Sequence, residues 1–414
     1  MGILTVNASF MAATFSQTVD QPSWPFPNTG ASAGVWFFVH VFCDSKFITL
    51  FSMLFGVSTY LVGCEPGDRV RTFNLLRRFS WLVVFGLIHG VLIWYGDVLL
   101  DYALCGFVLM GARGWSGPRL IVVGCIAFVV GVAAMTSFSI LADAHPTIYD
   151  ALMPGGAGKV TAFQGTFAQS LQANIATWVH YRMLVAIFTL PYAAPLMLIG
   201  LGLFKTGVLT GTARLRLYVG GIVTGAVAAA SLSVFTAVFM RSNFSDVYGA
   251  TSDLLLINIT SPFITFGYVS LVILSARNMS LGWVVKLLAP LGRMAFTNYI
   301  GQSVIMTIIF YGGRGFALFD HVDRPKLALI VIGVWAVELL WSHHWLHRFD
   351  AGPLEWVWRV LTYNRIGPIR KPCELRRLPQ EKPPNVAAAS PTRGVAQWPP
   401  NCVTPCAIFR DRRS

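Results

Sequence analysis

Apolar residues run along this chain in long blocks separated by short polar turns, without the period-2 alternation of a half-buried strand. A helix needs about 20 mostly apolar residues to cross a bilayer core. On that rule the spacing predicts nine spans, at 47–63, 79–95, 98–111, 120–142, 183–204, 217–239, 254–275, 294–311 and 327–347. Ahead of them Gly2 to Phe15 is a further apolar piece, too short to span and without the basic n-region of a secretory signal peptide. The expected fold is all-α, a polytopic membrane helix bundle of nine full spans plus a truncated N-terminal helix. Asp101 falls inside the short third span, and Asn298 and Gln302 inside the eighth. Such side chains must face protein or a water-filled cavity rather than lipid.

Composition excludes the competing classes. Charged residues make up 12% and apolar residues 55%, with mean hydropathy +0.61, whereas soluble domains carry about 25% charge. A disordered chain would not hold 13 Trp, 12 Tyr and 30 Phe. The net charge of +13 and pI of 9.7 would fit nucleic acid only if the basic residues were gathered on a folded face. They are not: residues 348–414 hold 12 Lys and Arg against 5 Asp and Glu, and the rest lie mostly in turns. The expected partner is the lipid bilayer, with no nucleic acid.

Loop charges set the expected orientation. Turns 64–78, 112–119, 205–216 and 276–293 carry 12 Lys and Arg, and the alternate segments carry 7. By the positive-inside rule the first set and the C-terminus face the cytoplasm, which makes 143–182 the longest external loop. Arg314, Arg324 and Lys326 count against this assignment. The seven cysteines show no regular framework, so disulfide architecture is not expected.

The chain divides into a transmembrane helical domain, 1–348, a Trp-rich interfacial helix, 349–367, and a disordered basic cytoplasmic tail, 368–414. In the second of these, Trp356, Trp358 and Arg359 suit headgroup depth.

The most informative stretch for chemistry is Phe85 to Tyr102, which holds His89, Asp97 and Asp101. His89 and Asp97 are eight residues apart, about 12 Å if the helix is continuous. A histidine near carboxylates in a membrane reads as a general base or proton relay. It reads equally as a neutral, packed histidine beside Gly86 and Gly90. At the start of the eighth span Arg293 can grip a phosphate, or simply anchor the helix. Asn298 and Gln302, at i and i+4, form one polar stripe, either lining a cavity or joining helices. His40 and Asp44 share a helical face next to Lys46 and read best as an interfacial ion pair, with Lys46 snorkelling to the headgroups. His343 and His347 have metal-ligand spacing, and Cys402 and Cys406 do not lie beside a His cluster, so neither is taken as a metal site. No bound cofactor is expected.

Several blocks together resemble the YeiB-like family of bacterial inner-membrane proteins, whose function is not established. They are Lys46 to Gly56, Gly86 to Tyr102, Gly292 to Gln302 followed by Phe310-Tyr311, and Gly352 to Arg359 followed by Leu361-Thr362-Tyr363. His89, Asp97, Tyr102, Arg293, Asn298 and Gln302 lie in these blocks; His40 and the His343–His347 cluster do not look typical of the family. Family members usually begin with a helix bearing Leu-Asp-x-x-Arg-Gly. Here Gly2-Ile3-Leu4 and Asn7 look like the end of that run, which implies a late-assigned start or a truncated copy. The family is also distantly similar to membrane acyltransferases. That likeness implies His89 and Asp97 as catalytic residues near the external side, and Asp101, Tyr102, Arg293, Asn298 and Gln302 as substrate-binding residues. Acyl-CoA would be the cytosolic donor. A transporter of a small polar or anionic metabolite, with His89, Asp97 and Asp101 as a proton relay, and a structural membrane partner are the alternatives.

Overall fold

The computed structural model describes residues 2–145, 157–242, 244, 247–277 and 282–370. Met1–Gly367 forms one compact unit; the expected tail lies almost wholly outside the described residues, beginning at 371. In chain order the helices are α1 (Gly2–Ala12), α2 (Phe15–Val19), α3 (Gly30–Phe42), α4 (Lys46–Gly63), α5 (Arg69–Ile88) continued by a π turn (His89–Ile93), and α6 (Leu99–Ala112). They continue as α7 (Gly117–Ala144), α8 (Ala157–Gln164), α9 (Phe167–Lys205), α10 (Leu215–Arg241) and α11 (Val247–Arg277). The last four are α12 (Gly282–Arg293), α13 (Ala295–Phe310), α14 (Arg324–Arg348) and α15 (Pro353–Tyr363).

Seven of the described helical stretches are long and apolar enough to cross a membrane, and each overlaps a span expected from the sequence, the first, Gly30–Gly63, beginning well ahead of the expected 47 and taking in α3. The other two expected spans are α6 and α13, of 14 and 16 residues. At 1.5 Å per residue they reach only about 21 and 24 Å, short of a hydrocarbon core of about 30 Å. Their ends stop inside protein. Trp94, Tyr95 and Asp97 before α6, and Tyr311 and Phe319 after α13, are all buried.

The stretch expected as a long external loop is largely helix. α9 runs unbroken for 39 residues from Phe167, with Thr166 and Gln169 forming a reciprocal capping box at its start. α9 packs along α4, α6 and α7 and serves as the spine of the bundle. Its crossing with α4 is close: a Cβ on Gly56 would lie 2.1 Å from the Met197 carbonyl oxygen, and one on Gly200 would lie 2.3 Å from that of Met53. Reciprocal glycines of this kind let two backbones touch where the surroundings offer no hydrophobic gain from helix pairing.

Within 349–367, Pro353–Tyr363 is helical as α15 and is fixed on two sides. The Glu355 carboxylate accepts the Phe296 and Thr297 amides at 2.7 and 3.0 Å, capping α13 from outside its own chain segment. Arg78 lies over the Trp358 ring at 3.8 Å, and Arg77 donates to the Leu361 carbonyl at 2.7 Å. Lys46, expected to snorkel, is instead fully buried, and its ammonium donates to the His40 carbonyl at 2.9 Å.

Candidate functional site

The α5 helix ends in a π turn, which leaves backbone carbonyls without their usual helical donors. Side chains from elsewhere meet them. Asn174 donates to the carbonyls of Gly90 and Val91 at 2.9 and 3.0 Å, and accepts the Tyr95 amide at 2.8 Å. Arg314 donates to the Ile93 carbonyl at 2.8 Å. Past the turn the chain folds back, so Asp97 does not stand about 12 Å from His89 as a continuous helix would place it. It contacts it directly, with His89 Nδ1 3.0 Å from Asp97 Oδ1 and both residues 1% exposed.

The partner fixes the tautomer. Asp97 also accepts the amides of Leu99 and Leu100 at 3.1 and 3.0 Å, so Nδ1 is the donor in the His89 pair, and in the neutral imidazole Nε2 carries the lone pair. Among the described residues nothing bonds Nε2, although it is buried. The Tyr299 ring of α13 lies 5.1 Å from the imidazole, and the Trp94 ring lies edge-on at 6.2 Å. Gly90 is required beside it, since a Cβ there would fall 2.3 Å from Trp178 Nε1.

One α-helical turn along α6, Asp101 is fully buried and paired with Arg182 of α9. The second Asp101 oxygen has no partner among the described residues. Both carboxylates stand at the start of α6, where the helix dipole favours negative charge. The dyad lies eleven residues beyond Arg78, about 16 Å along α5 from the level at which α15 is held.

The structure brings together His89, Asp97 and Asp101 but not the other expected site residues. Tyr102 turns to Ser52 and the Ile48 carbonyl, at 2.7 and 3.2 Å. The amide stripe faces α14: Asn298 donates to Ser342 at 3.0 Å and Gln302 to Glu338 at 2.7 Å. These amides join two helices. Arg293 is exposed at the end of α12 and donates to the Asp350 carbonyl at 2.7 Å. His40 bonds Asp253 at 3.1 Å and stands 3.8 Å from Asp44, outside this cluster. Among the described residues no third ligand joins the histidines of α14.

Sequence reasoning missed the α9 contribution. Ser170, Asn174, Trp178 and Arg182 recur every four residues and present one face. Ser170 reaches the Gly312 carbonyl at 2.8 Å, Asn174 the π turn, Trp178 lies against Gly90, and Arg182 reaches Asp101. The signal was present as a polar comb at helical spacing, in a stretch that loop counting had placed outside the membrane.

Helices of spanning length together with a histidine–aspartate dyad and an ion pair sealed among them define a helical membrane protein with ionisable chemistry in its core. Residues 203–365 match the family described as "Protein of unknown function (DUF418)". The chain is 30% identical over 386 residues to the uncharacterised protein YeiB of Escherichia coli, covering 89% of this chain and 94% of that one. It is 29% identical over 398 residues to the uncharacterised protein YxaH of Bacillus subtilis, covering 89% and 93%. The chain therefore belongs to the YeiB-like DUF418 family, and neither relative's name carries an activity. No solved structure matches.

Proposed function

We propose that this is a multi-pass protein of the bacterial inner membrane with its C-terminus in the cytoplasm, and that it transfers an acyl group from cytosolic acyl-CoA to an extracytoplasmic acceptor. The observation that carries the reading is the imidazole of His89, held by Asp97 through Nδ1 and left with a buried, unpartnered Nε2. That nitrogen takes the proton of the acceptor's hydroxyl or amine as the acceptor attacks the thioester carbonyl. The carbon–sulfur bond then breaks and the electron pair leaves with the CoA thiolate. The Arg182 guanidinium supplies positive charge where an oxyanion develops. Arg293, exposed immediately before α13, offers a guanidinium to donor phosphates, and α13 carries Tyr299 to His89.

The bias of basic residues toward one set of turns supports the orientation. Two of the three residues counting against it are engaged within the fold, Arg314 on the Ile93 carbonyl and Arg324 on Asn28, Gln21 and the Trp24 ring. The test is thiol release from acetyl-CoA by the reconstituted protein in the presence of cell-envelope extract. His89→Ala abolishes it in a protein that still folds; unchanged turnover dismisses the assignment.

A carrier is the second reading, favoured by the unpartnered Asp101 oxygen beside Arg182, since an intramembrane carboxylate can bind and release a transported proton. Proton-coupled uptake into sealed vesicles that disappears in Asp101→Asn would select it.

A further inference from the structure

Twelve residues long, α12 reaches about 18 Å, too little to cross a bilayer. Both of its ends belong to one side of the bundle. It begins five residues after Arg277, whose guanidinium donates to the Gly211 and Ala213 carbonyls in the turn between α9 and α10. It ends on Arg293, which bonds the Asp350 carbonyl between α14 and α15. Between those ties it packs mainly on α14. A helix tied in this way runs across the end of the bundle and not along it.

The side chains of α12 sort by angle. At about 100° per residue, Trp283, Leu287, Leu291, Val284 and Leu288 fall in one arc about 140° wide, and Lys286 and Arg293 fall together on the opposite side. Protein covers only the middle of the apolar arc. Leu291 is buried and Val284 half-buried, whereas Trp283 and Leu287 on one flank and Leu288 on the other are exposed, Trp283 by 64%. Leu287 and Leu288 stand about 100° apart with the buried stripe between them, so one rigid partner does not reach both. Fluid acyl chains do. The opposite arc selects charge: Lys286 and Arg293 are exposed, and α12 carries no carboxylate. Nearby, Asp350 follows the end of α14, and the Glu355 carboxylate is taken by the Phe296 and Thr297 amides. Against these two acids stand Arg277, Lys286, Arg293, Arg348 and Arg359, so the balance is positive.

We infer that α12 lies in the plane of the bilayer and binds anionic phospholipid, its apolar arc among the acyl chains of one leaflet and Lys286 against the headgroup phosphates. Trp and Leu on one face and cations on the other suit a helix at that depth. Arg293, assigned to donor phosphates above, adds to the same positive field. The leaflet is the cytoplasmic one on the orientation proposed above; the depth does not depend on that orientation. Lipid thereby steadies the helix that leads through the buried Met294 into α13, which carries Tyr299 to His89.

Depth around the helix is measured in the full chain, without any activity. Leu287→Cys, Leu288→Cys and Ala289→Cys are introduced singly into a protein whose native cysteines are replaced, labelled with a nitrobenzoxadiazole probe and reconstituted into phosphatidylcholine bilayers. Ala289 is exposed on the cationic arc, about 160° around the helix from Leu287. The ratio of quenching by a phosphatidylcholine bearing a nitroxide high on one acyl chain to quenching by aqueous iodide should be about threefold higher at 287 and 288 than at 289. Trp283→Cys repeats the measurement if a leucine variant does not fold. Moving the nitroxide to phosphatidylglycerol at the same mole fraction should raise quenching at 287 about two- to fivefold, and Lys286→Gln should remove at least half of that gain. Equal ratios at the three positions, no gain with phosphatidylglycerol, or a gain indifferent to Lys286→Gln would each overturn the inference. Disulfide-linked dimers of unlabelled Leu287→Cys without lipid quenching at 287 would overturn it in favour of a second copy on this face. Sidedness is read separately, from reaction of Ala289→Cys with a membrane-impermeant maleimide in inside-out but not right-side-out vesicles. The opposite sidedness with lipid quenching intact overturns the orientation and leaves the lipid-bound helix standing.

Discussion

Removing Arg182 alone strips a buried carboxylate of its counter-charge. The Asp101 side chain is 0% exposed and that of Arg182 18%, so the pair is shielded from solvent on one side almost completely. Asp101 already has one oxygen without a partner. At about 4 Å and an effective dielectric of about 20 the attraction is about 4 kcal/mol. Breaking a buried pair from one side generally costs about 3–5 kcal/mol, because the remaining charge keeps its desolvation penalty. Arg182→Leu is therefore expected to lose about 3 kcal/mol. Replacing both partners with leucine should recover most of that, since an apolar pair of similar volume is often neutral. Asp97 keeps its three N–H donors in the double variant. Unfolding in mixed dodecyl maltoside and sodium dodecyl sulfate micelles, followed by tryptophan emission, gives all four corners of the cycle. A coupling free energy of about 2 kcal/mol or more is expected. A double variant no more stable than Arg182→Leu would refute the claim that the carboxylate is the source of the loss.

Asn174→Leu removes two hydrogen bonds from the π turn and one from the Tyr95 amide beyond it; a loss of about 2–4 kcal/mol is expected in the same assay, with faster amide exchange confined to 89–95. Gly56→Ala drives a methyl group into the Met197 carbonyl, so the α4–α9 crossing should open at a cost of about 1–3 kcal/mol; an unchanged unfolding midpoint would show that the helices part freely. Glu355→Ala leaves two amides at the start of α13 uncapped, with an expected loss of about 1 kcal/mol and increased protease cleavage between α14 and α15. For Glu65, burial pushes the carboxyl up, but hydrogen bonds from Lys205 and Tyr60 and the nearby charges of Lys205 and Arg113 outweigh it and hold it below the usual range. A carboxyl lowered in the fold stabilises above its ordinary range and ceases to do so as pH falls through its folded value. Glu65→Gln, which leaves the bonds of Lys205 to the Arg113 and Trp115 carbonyls in place, should consequently lower the stability at pH 7 by no more than about 0.5 kcal/mol for so exposed a carboxylate. That difference should shrink as pH falls through the carboxyl's lowered folded value, and a difference independent of pH would exclude the ion pair as its cause.

The legible part of this protein is what a single solvent enforces. Long apolar runs must be helices in a bilayer, because an unpaired backbone group has no partner in hydrocarbon, and seven of the nine expected spans have spanning length for that reason. His89, Asp97 and Asp101 were also legible, because ionisable side chains inside such runs need partners. Their geometry was not. A continuous helix separates His89 from Asp97, and only the π turn and the return of the chain at 94–98 bring them to 3.0 Å.

The remaining decisions belong to neighbours that no local pattern names. Asn298 and Gln302 share a stripe whichever way it faces, and α14, with Ser342 and Glu338, turned it away from the dyad. Arg182 reads as an external loop charge until α9 is seen to run unbroken past it. Sequence alone determined the helices and their solvent, since those follow from the transfer free energy of each segment taken singly. Tertiary structure decided which polar atoms meet, since inside a low-dielectric bundle that choice depends on every helix packed around them.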